Sequence, residues 1–440
     1  MKIYLDTIGC RLNQSEIETM ARQFRAAGHE IVASAEVADM AVVNTCAVTS
    51  EAASDSRGKI RQIARAGVNE IVATGCWTTL QPKEAAALPH VQHVVPNANK
   101  DNLVAQTLKI QNSEFRVQHF DGSQRESFDI EPIVRQPLPG LHRRTRAFIK
   151  VQDGCDNQCT FCVTTIARGA GRSRSVADVI NDVQFAIAGG AKEIVLTGVH
   201  LGSWGYDFNL HLKDLIKSIL RETDTPRLRL SSLEPWDLDT GFFSLWDDRR
   251  LMPHLHLPLQ SGSLSTLKRM RRNTTPDSFR QLVAAAREAI PDVAITTDII
   301  AGFPSETEEE FAETLDFVKE MNFAGGHVFT YSARPGTGAA RMKGQIRMGS
   351  RKKRNYILHE ALEESAKSYR EKFVGRKMSV LWESTSEMGE YGWQMEGHTE
   401  NYLRVQAFAP APRWNELDEV VLIQTAGDKM KGALAGLTPA

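Results

Sequence analysis

The sequence predicts an α/β protein in three parts: an N-terminal parallel α/β domain, a central partial (β/α)6 barrel and a small C-terminal β-barrel. Three observations predict it. Over residues 1–120, apolar β-branched runs alternate with segments of helical period, the pattern of a parallel sheet. Over residues 147–373, strand-like runs recur six times, several of them separated by helical segments. From Gly375 the helical period gives way to short alternating runs broken by glycine.

In the first part, three apolar runs each end in a cysteine: residues 2–10 in Cys10, 40–46 in Cys46 and 70–76 in Cys76. A helix is expected over 13–27, with Ile17, Met20, Ala21 and Phe24 on one face, and another over 54–66. Parallel α/β sheets bind ligands outside the carboxyl ends of their strands, so three thiols placed there can converge. A free cysteine is also an ordinary small buried hydrophobe, and position alone does not choose between the two. Residues 121–146 hold Pro132, Pro137, Pro139 and Gly140 with little periodicity, and read as a linker ending in a small basic run, His142, Arg143, Arg144 and Arg146.

The central part opens on a strand-like run, Phe148 to Val151, broken by Asp153-Gly154. Cys155, Cys159 and Cys162 follow at C-x3-C-x2-C spacing, with Phe161 just before the last. Structural zinc takes four protein ligands. Three thiolates in one loop suit a [4Fe–4S] cubane in which one iron lacks a protein ligand and stays open to substrate. A second trio elsewhere in the chain then turns Cys10, Cys46 and Cys76 towards a second cluster.

Past this loop, Arg168-Gly169 and Gly171-Arg172 combine backbone freedom with charge suited to a carboxylate or phosphate. The other strand runs cover 193–200, 227–235, 254–262, 294–304 and 327–336. Polar groups fall at their C-terminal ends, the face on which such barrels do chemistry: Gly198 and His200, Ser232 and Glu234, Gln260 and Ser261, Asp298 and Gly302, Ser332 and Arg334. Phe161, Gly198, Ser232, Glu234, Gln260 and Asp298 are the expected lining for cofactor and substrate.

Residues 341–354 carry seven basic residues and no acid, either a solvated helix start or a local phosphate-binding stripe. An amphipathic helix is expected over 355–373. Strand runs at 377–383, 392–398, 402–407 and 419–425 then read as a small β-barrel, a fold often used on single-stranded nucleic acid.

Composition bounds the function. The 440 residues are 42% hydrophobic and 24% charged with a formal net charge of −1, so there is no global basic field and any nucleic-acid contact must be local. There is no apolar run of about 18 residues to span a membrane, and the N-terminus reads as a strand rather than a signal-peptide core. The expected location is cytoplasmic, where thiols stay reduced and six cysteines serve metal or catalysis rather than disulfides. P-loop and zinc-deaminase patterns are missing.

The chain as a whole resembles the radical S-adenosylmethionine (SAM) methylthiotransferase family. The matching segments are Thr7 to Glu16, Asn44 to Val48, Thr74 to Cys76, the Cys155 loop, Leu196 to Gly202, Leu257 to Gly262, Asp298 to Pro304, Tyr331 to Thr337 and Gly397 to Tyr402. The resemblance implies an N-terminal methylthiotransferase domain (1–120), the linker, a radical SAM domain (147–373) and a TRAM domain (374–440). The opening motif through Cys10, Asn13 and Glu16, with Thr197 to Gly202, is most similar to the branch acting on N6-threonylcarbamoyladenosine of tRNA. That implies methylthiolation of C2 of this base beside the anticodon. Carried over, Cys155, Cys159 and Cys162 hold a [4Fe–4S] cluster that binds SAM, and Cys10, Cys46 and Cys76 hold an auxiliary [4Fe–4S] cluster that delivers sulfur. One SAM supplies the radical and another the methyl group. The implied partners are the tRNA anticodon stem-loop and an electron donor protein, with no membrane. The chain departs from many members at Val163 to Ile166, where they carry a proline. Isopentenyladenosine tRNA and a ribosomal-protein aspartate are alternative substrates, and a non-catalytic iron–sulfur RNA-binding regulator is an alternative of another class.

Overall fold

The computed structural model describes residues 1–109, 145–389 and 391–435; most of the expected linker, with His142 to Arg144, lies outside them. The first domain runs β1 (Lys2–Thr7), α1 (Arg11–Ala26), β2 (Glu30–Val32), β3 (Met40–Thr45), α2 (Ser50–Arg65), β4 (Ile71–Gly75), α3 (Cys76–Leu80), α4 (Pro82–Ala86), β5 (Val91–Val95) and α5 (Leu103–Leu108). Its sheet is parallel throughout, in the order β2-β1-β3-β4-β5. The runs on β3 and β4 are continuously apolar because both faces are covered. Met40, Val42 and Val72 pack under Ile17, Met20 and Phe24 of α1, while Ala41, Val43 and Ala73 meet Ile60 and Ile63 of α2. Both helices start earlier than the apolar period suggests. Thr49 caps α2 by accepting from the Ala52 N–H, and Cys10 occupies the cap position of α1.

The central domain contains β6 (Arg146–Lys150), β7 (Gln152–Asp153), α6 (Thr164–Arg168), β8 (Arg172–Ser173), α7 (Val176–Ala188), β9 (Glu193–Thr197), α8 (Leu212–Glu222) and β10 (Leu228–Leu230). It continues with β11 (His254–His256), α9 (Leu264–Met270), α10 (Pro276–Ala289), β12 (Ala294–Ala301), α11 (Glu308–Met321) and β13 (Gly325–Thr330). The sheets β6-β9-β10 and β11-β12-β13 are each parallel. Parallel bridges Leu228↔Leu251 and Ser232↔His256 join them, so six strands follow one another as the expected open half-barrel. Ile149, Leu196, Leu230, Leu255, Ile295 and Ile299 face the surrounding helices in one core. Alternation along the strands then turns Arg146, Phe148, Arg229, His254, His256, Thr296, Asp298 and His327 to the lumen.

The helix α12 (Met348–Glu371) begins at residue 348, not 355, and takes in part of the basic segment. Arg354 is buried there and bonds Glu306 (2.7 Å) and Glu308 (2.6 Å), and Arg351 stands over the Tyr331 ring at 5.2 Å. These two cations are committed to structure, so the segment is not a uniform phosphate-binding stripe. The closing barrel has five strands rather than four: β14 (Lys377–Gly389), β15 (Gly392–Thr399), β16 (Arg404–Ala409), β17 (Leu417–Ala426) and β18 (Lys429–Leu434), closed in the order β14-β15-β16-β18-β17. Val380, Trp382, Met395, Val405, Val420, Leu422 and Met430 fill it.

This barrel docks beneath the half-barrel, at the N-terminal ends of its strands. Arg227 donates to the Ser379 carbonyl (2.9 Å) and Arg146 pairs with Glu383 (3.0 Å). Tyr402 plugs the lumen: its ring stacks between His254 and His398, with centroids 4.5 and 4.7 Å away, and Arg229 stands over it at 4.7 Å. Its hydroxyl accepts from Arg146 (3.0 Å) and from Arg11 of the first domain (2.8 Å), so one phenol joins all three parts of the chain.

Candidate active site

The sheet order of the first domain places its site. The order reverses between β1 and β3, the switch point at which such sheets bind ligands. Cys10, Cys46 and Cys76 follow the adjacent strands β1, β3 and β4, whose neighbours lie about 4.8 Å apart. Glycine makes the close approach possible. Gly9 has φ +107, and a Cβ there would lie 2.7 Å from the Cys46 sulfur; Gly75 has φ +104, and a Cβ there would lie 2.3 Å from the Thr45 carbonyl oxygen. Burial pushes the Cys46 thiol up to about 11, and Cys10 and Cys76 add to the rise. Cys10 is open to solvent yet surrounded by protein atoms; burial pushes its thiol up, against Arg168 and Asn13. Binding a metal here must displace protons, which couples affinity to pH.

The second trio lies in the loop between β7 and α6. Its loop is held by Cys155 N–H to the Gly169 carbonyl (3.0 Å), by Thr160 N–H to the Met270 carbonyl (3.0 Å) and by the short β7–β8 ribbon. Each of two sulfurs has a donor aimed at it. Asn157 N–H donates to Cys155 (3.4 Å), and Arg272 donates to Cys159 (3.8 Å) while also bonding Glu234 and the Pro258 carbonyl at 2.6 Å. Burial pushes the Cys159 thiol up to about 11 with Arg272 opposing. Burial alone would pull the His200 imidazole down, but hydrogen bonds to Asp237 and Cys155 push it up to about 10; the Asp237 contact is 2.6 Å. Among the described residues no three His, Cys, Asp or Glu side chains close around a single metal ion. A cubane spreads its three thiolates over a wider core, and two all-cysteine trios with N–H donors on their sulfurs fit it.

A buried charge network ties the first domain to the residues flanking the second trio. Glu16 of α1 accepts from Arg168 of α6 (2.8 Å) and from Lys100 (2.8 Å). Arg168 also bonds Asn13 (2.8 Å) and Asp153 (2.9 Å), and Asn13 donates to the carbonyls of Ile8 (2.8 Å) and Thr45 (3.1 Å) beside the first trio. Burial would raise the Glu16 carboxyl, but Lys100, Arg168 and Lys150 hold it well below the usual range. Asn97 makes a second tie, donating to Cys76 (3.6 Å) and to the Ala167 carbonyl (2.9 Å).

The expected lining residues are placed as follows. Phe161 packs on the apolar cluster of Met270, Ile300, Phe303, Tyr331 and Ala339. A Cβ on Gly198 would meet Gln152 at 3.0 Å, and the Gln152 side chain accepts from the His200 N–H (2.8 Å). Ser232 is exposed and bridges to His256. Glu234 is taken up by Arg272. Gln260 holds φ +74 while exchanging backbone bonds with β12, a strained conformation of the kind that gathers at functional sites. Asp298 pairs with His256 (3.2 Å) and His327 (3.1 Å); burial would raise its carboxyl, but the two imidazoles hold it well below the usual range. Arg272, Asp237, Asn157 and Asn97 went unread in the sequence. Arg272 stands in a run of basic residues after α9, where only the fold shows that one of them turns inward.

Comparison with known proteins adds to this geometry. Residues 2–96 match the model described as "Uncharacterized protein family UPF0004", and residues 149–318 match that of the radical SAM superfamily. The chain is 35% identical to threonylcarbamoyladenosine tRNA methylthiotransferase MtaB of Bacillus subtilis, over 91% of this chain and 88% of that protein. It is 31% identical to the tRNA-2-methylthio-N(6)-dimethylallyladenosine synthase of Oceanobacillus iheyensis, over 98% of this chain and 84% of that protein. Among solved structures, the radical SAM methyltransferase TsrM from Kitasatospora setae superposes with a TM-score of 0.56 at 15% identity, over 77% of this chain and 76% of that one, a likeness of fold.

Proposed function

Because the chain belongs to the radical SAM methylthiotransferase family, with SAM and [4Fe–4S] clusters as cofactors and tRNA modification as its activity, we propose that it methylthiolates C2 of N6-threonylcarbamoyladenosine beside the anticodon. The observation that carries this reading is the Glu16–Arg168 network, which fixes the wall bearing Cys10, Cys46 and Cys76 against the wall bearing Cys155, Cys159 and Cys162. Each trio holds one cluster. When bound, these cofactors supply a radical strong enough to take an aryl hydrogen, a second SAM for the methyl group and a source of sulfur, steps beyond acid–base chemistry.

The chain's own residues do the rest. Asn157, His200 and Arg272 place donors on the sulfurs of the Cys155 loop and so tune the cluster held there. The half-barrel lumen, open along β13 and plugged below by Tyr402, receives the base from one side. The domain bounds are 1–120, 147–373 and 374–440, the last being a TRAM domain that grips the anticodon stem-loop. Tyr391 and Phe408, both exposed and edge to face at 5.9 Å, give it a stacking platform. An electron donor protein completes the cycle, and the cytoplasm is the compartment of its substrate. No described helix is long and apolar enough to cross a membrane.

Mass spectrometry of nucleosides from tRNA of cells with and without the gene tests the assignment. Loss of the methylthio group from threonylcarbamoyladenosine alone is expected. Loss from isopentenyladenosine instead moves the substrate to the other tRNA branch. An unchanged tRNA, with no 5′-deoxyadenosine released from SAM by the reduced protein, leaves an RNA-binding regulator.

A further inference from the structure

Two guanidinium groups stand at the first cysteine trio without a carboxylate. Arg57 of α2 follows Ser56, whose hydroxyl accepts from the Cys46 N–H (3.0 Å), and its guanidinium stands over the Trp77 ring at 5.8 Å, next to Cys76. Arg334, just past β13, reaches across from the half-barrel. It donates to the Ser50 hydroxyl (3.2 Å), which also meets Ser332 (2.7 Å). The Nε of Arg334 is buried with no partner. Burial pulls the Arg334 guanidinium down, Cys46 opposes, and Arg57 lowers it further. Four buried arginines of the protein are paired with carboxylates, Arg168 with Glu16, Arg229 with Glu193, Arg272 with Glu234 and Arg354 with Glu306, while buried Arg227 is spent on the Ser379 and His398 carbonyls. Among the described residues no acid does this for Arg57 or Arg334.

We propose that Arg57 and Arg334 together seat the carboxylate carried by the modified base, a reading that rests on threonylcarbamoyladenosine as the substrate. A guanidinium takes a carboxylate through two parallel N–H donors, and the orphaned Nε of Arg334 is one such donor. A base set against the first trio brings to this pair the anion that it carries itself. A neutral isopentenyl group would leave both cations unpaired. Binding to the pair therefore selects the acidic substituent and sets C2 against the sulfur-bearing wall.

The test uses the reconstituted full-length protein and three anticodon stem-loop RNAs: one with threonylcarbamoyladenosine, one with its neutral primary amide and one with unmodified adenosine. Binding is read by fluorescence anisotropy, with iron content and the electron paramagnetic resonance of the clusters recorded for each variant. Wild type is expected to bind the acid about ten- to a hundredfold tighter than the amide, the scale of a charge-assisted pair. In Arg57→Gln and Arg334→Gln this preference shrinks, and in the double variant it vanishes, with affinity for the amide unchanged. Equal weakening towards all three RNAs would assign the pair to backbone phosphate and overturn the proposal. So would an unaltered acid preference accompanied by a changed auxiliary-cluster signal, which would make the arginines counter-ions of the cluster. If wild type methylthiolates threonylcarbamoyladenosine yet binds acid and amide alike, the seat falls and the substrate stands; if it makes no such product, the substrate reading falls with it.

Discussion

Replacing Cys10, Cys46 and Cys76 together by alanine is expected to cut the iron of the anaerobically reconstituted protein from about eight to about four atoms per chain. The Cys155 loop takes none of its backbone ties from the first domain's cysteines, so its cluster should survive and 5′-deoxyadenosine should still form from SAM. The methylthio product should disappear. Iron and sulfide analysis, with quantitation of 5′-deoxyadenosine and of modified nucleoside, checks all three results. Unchanged iron would remove the second cluster from the assignment. A variant that keeps four irons and still forms product would remove its role in sulfur delivery.

Replacing Glu16 by alanine is expected to cost about 3–5 kcal/mol, the scale of breaking a buried ion pair by deleting one partner. Glu16 is 4% exposed and faces Arg168 and Lys100, themselves 5% and 3% exposed, so the deletion strands Lys100 without a carboxylate and leaves Arg168 with Asp153 alone. Because the contact spans two domains, the loss should appear in the first unfolding transition seen by denaturant titration. Glu16→Gln, which keeps hydrogen-bond acceptance on one atom and loses the charge, should fall between. The folded carboxyl lies below its unfolded value of about 4.3, so the stabilisation is complete above that value and fades only as pH drops through the depressed one. From about pH 5 to 8 the difference between wild type and Glu16→Ala should therefore stay flat on account of this group. A difference under about 0.5 kcal/mol would show that the network is an ornament of a contact held by packing.

What could be read from the sequence followed from periodicity and spacing. Continuous apolar runs ending at Cys10, Cys46 and Cys76 announced a parallel sheet, and the C-x3-C-x2-C spacing announced a loop that gathers three thiols past a strand end. The six strands of the half-barrel were visible because each ends in a polar cluster. Cap chemistry was harder to see: Cys10 and Thr49 begin helices before any apolar residue marks them. β18 escaped because Lys429–Leu434 holds Gly432 and two lysines and only a sparse apolar pattern. Long-range polar partners were out of reach in principle. That Arg168 finds Glu16 across 152 positions, or Arg272 turns to Cys159 while Arg271 faces outward to Gln158, depends on how helices are set on strands. Local patterns do not carry that.

The place of Tyr402 bears on where the chain can be shortened. Trimming it after α12 to obtain a minimal catalyst would uncork the pit from below. Water would rise to His254 and Arg229, and Arg11, next to Cys10, would lose the oxygen that anchors it. The C-terminal barrel is thus also the floor of the half-barrel, and cutting it away would open that floor to water.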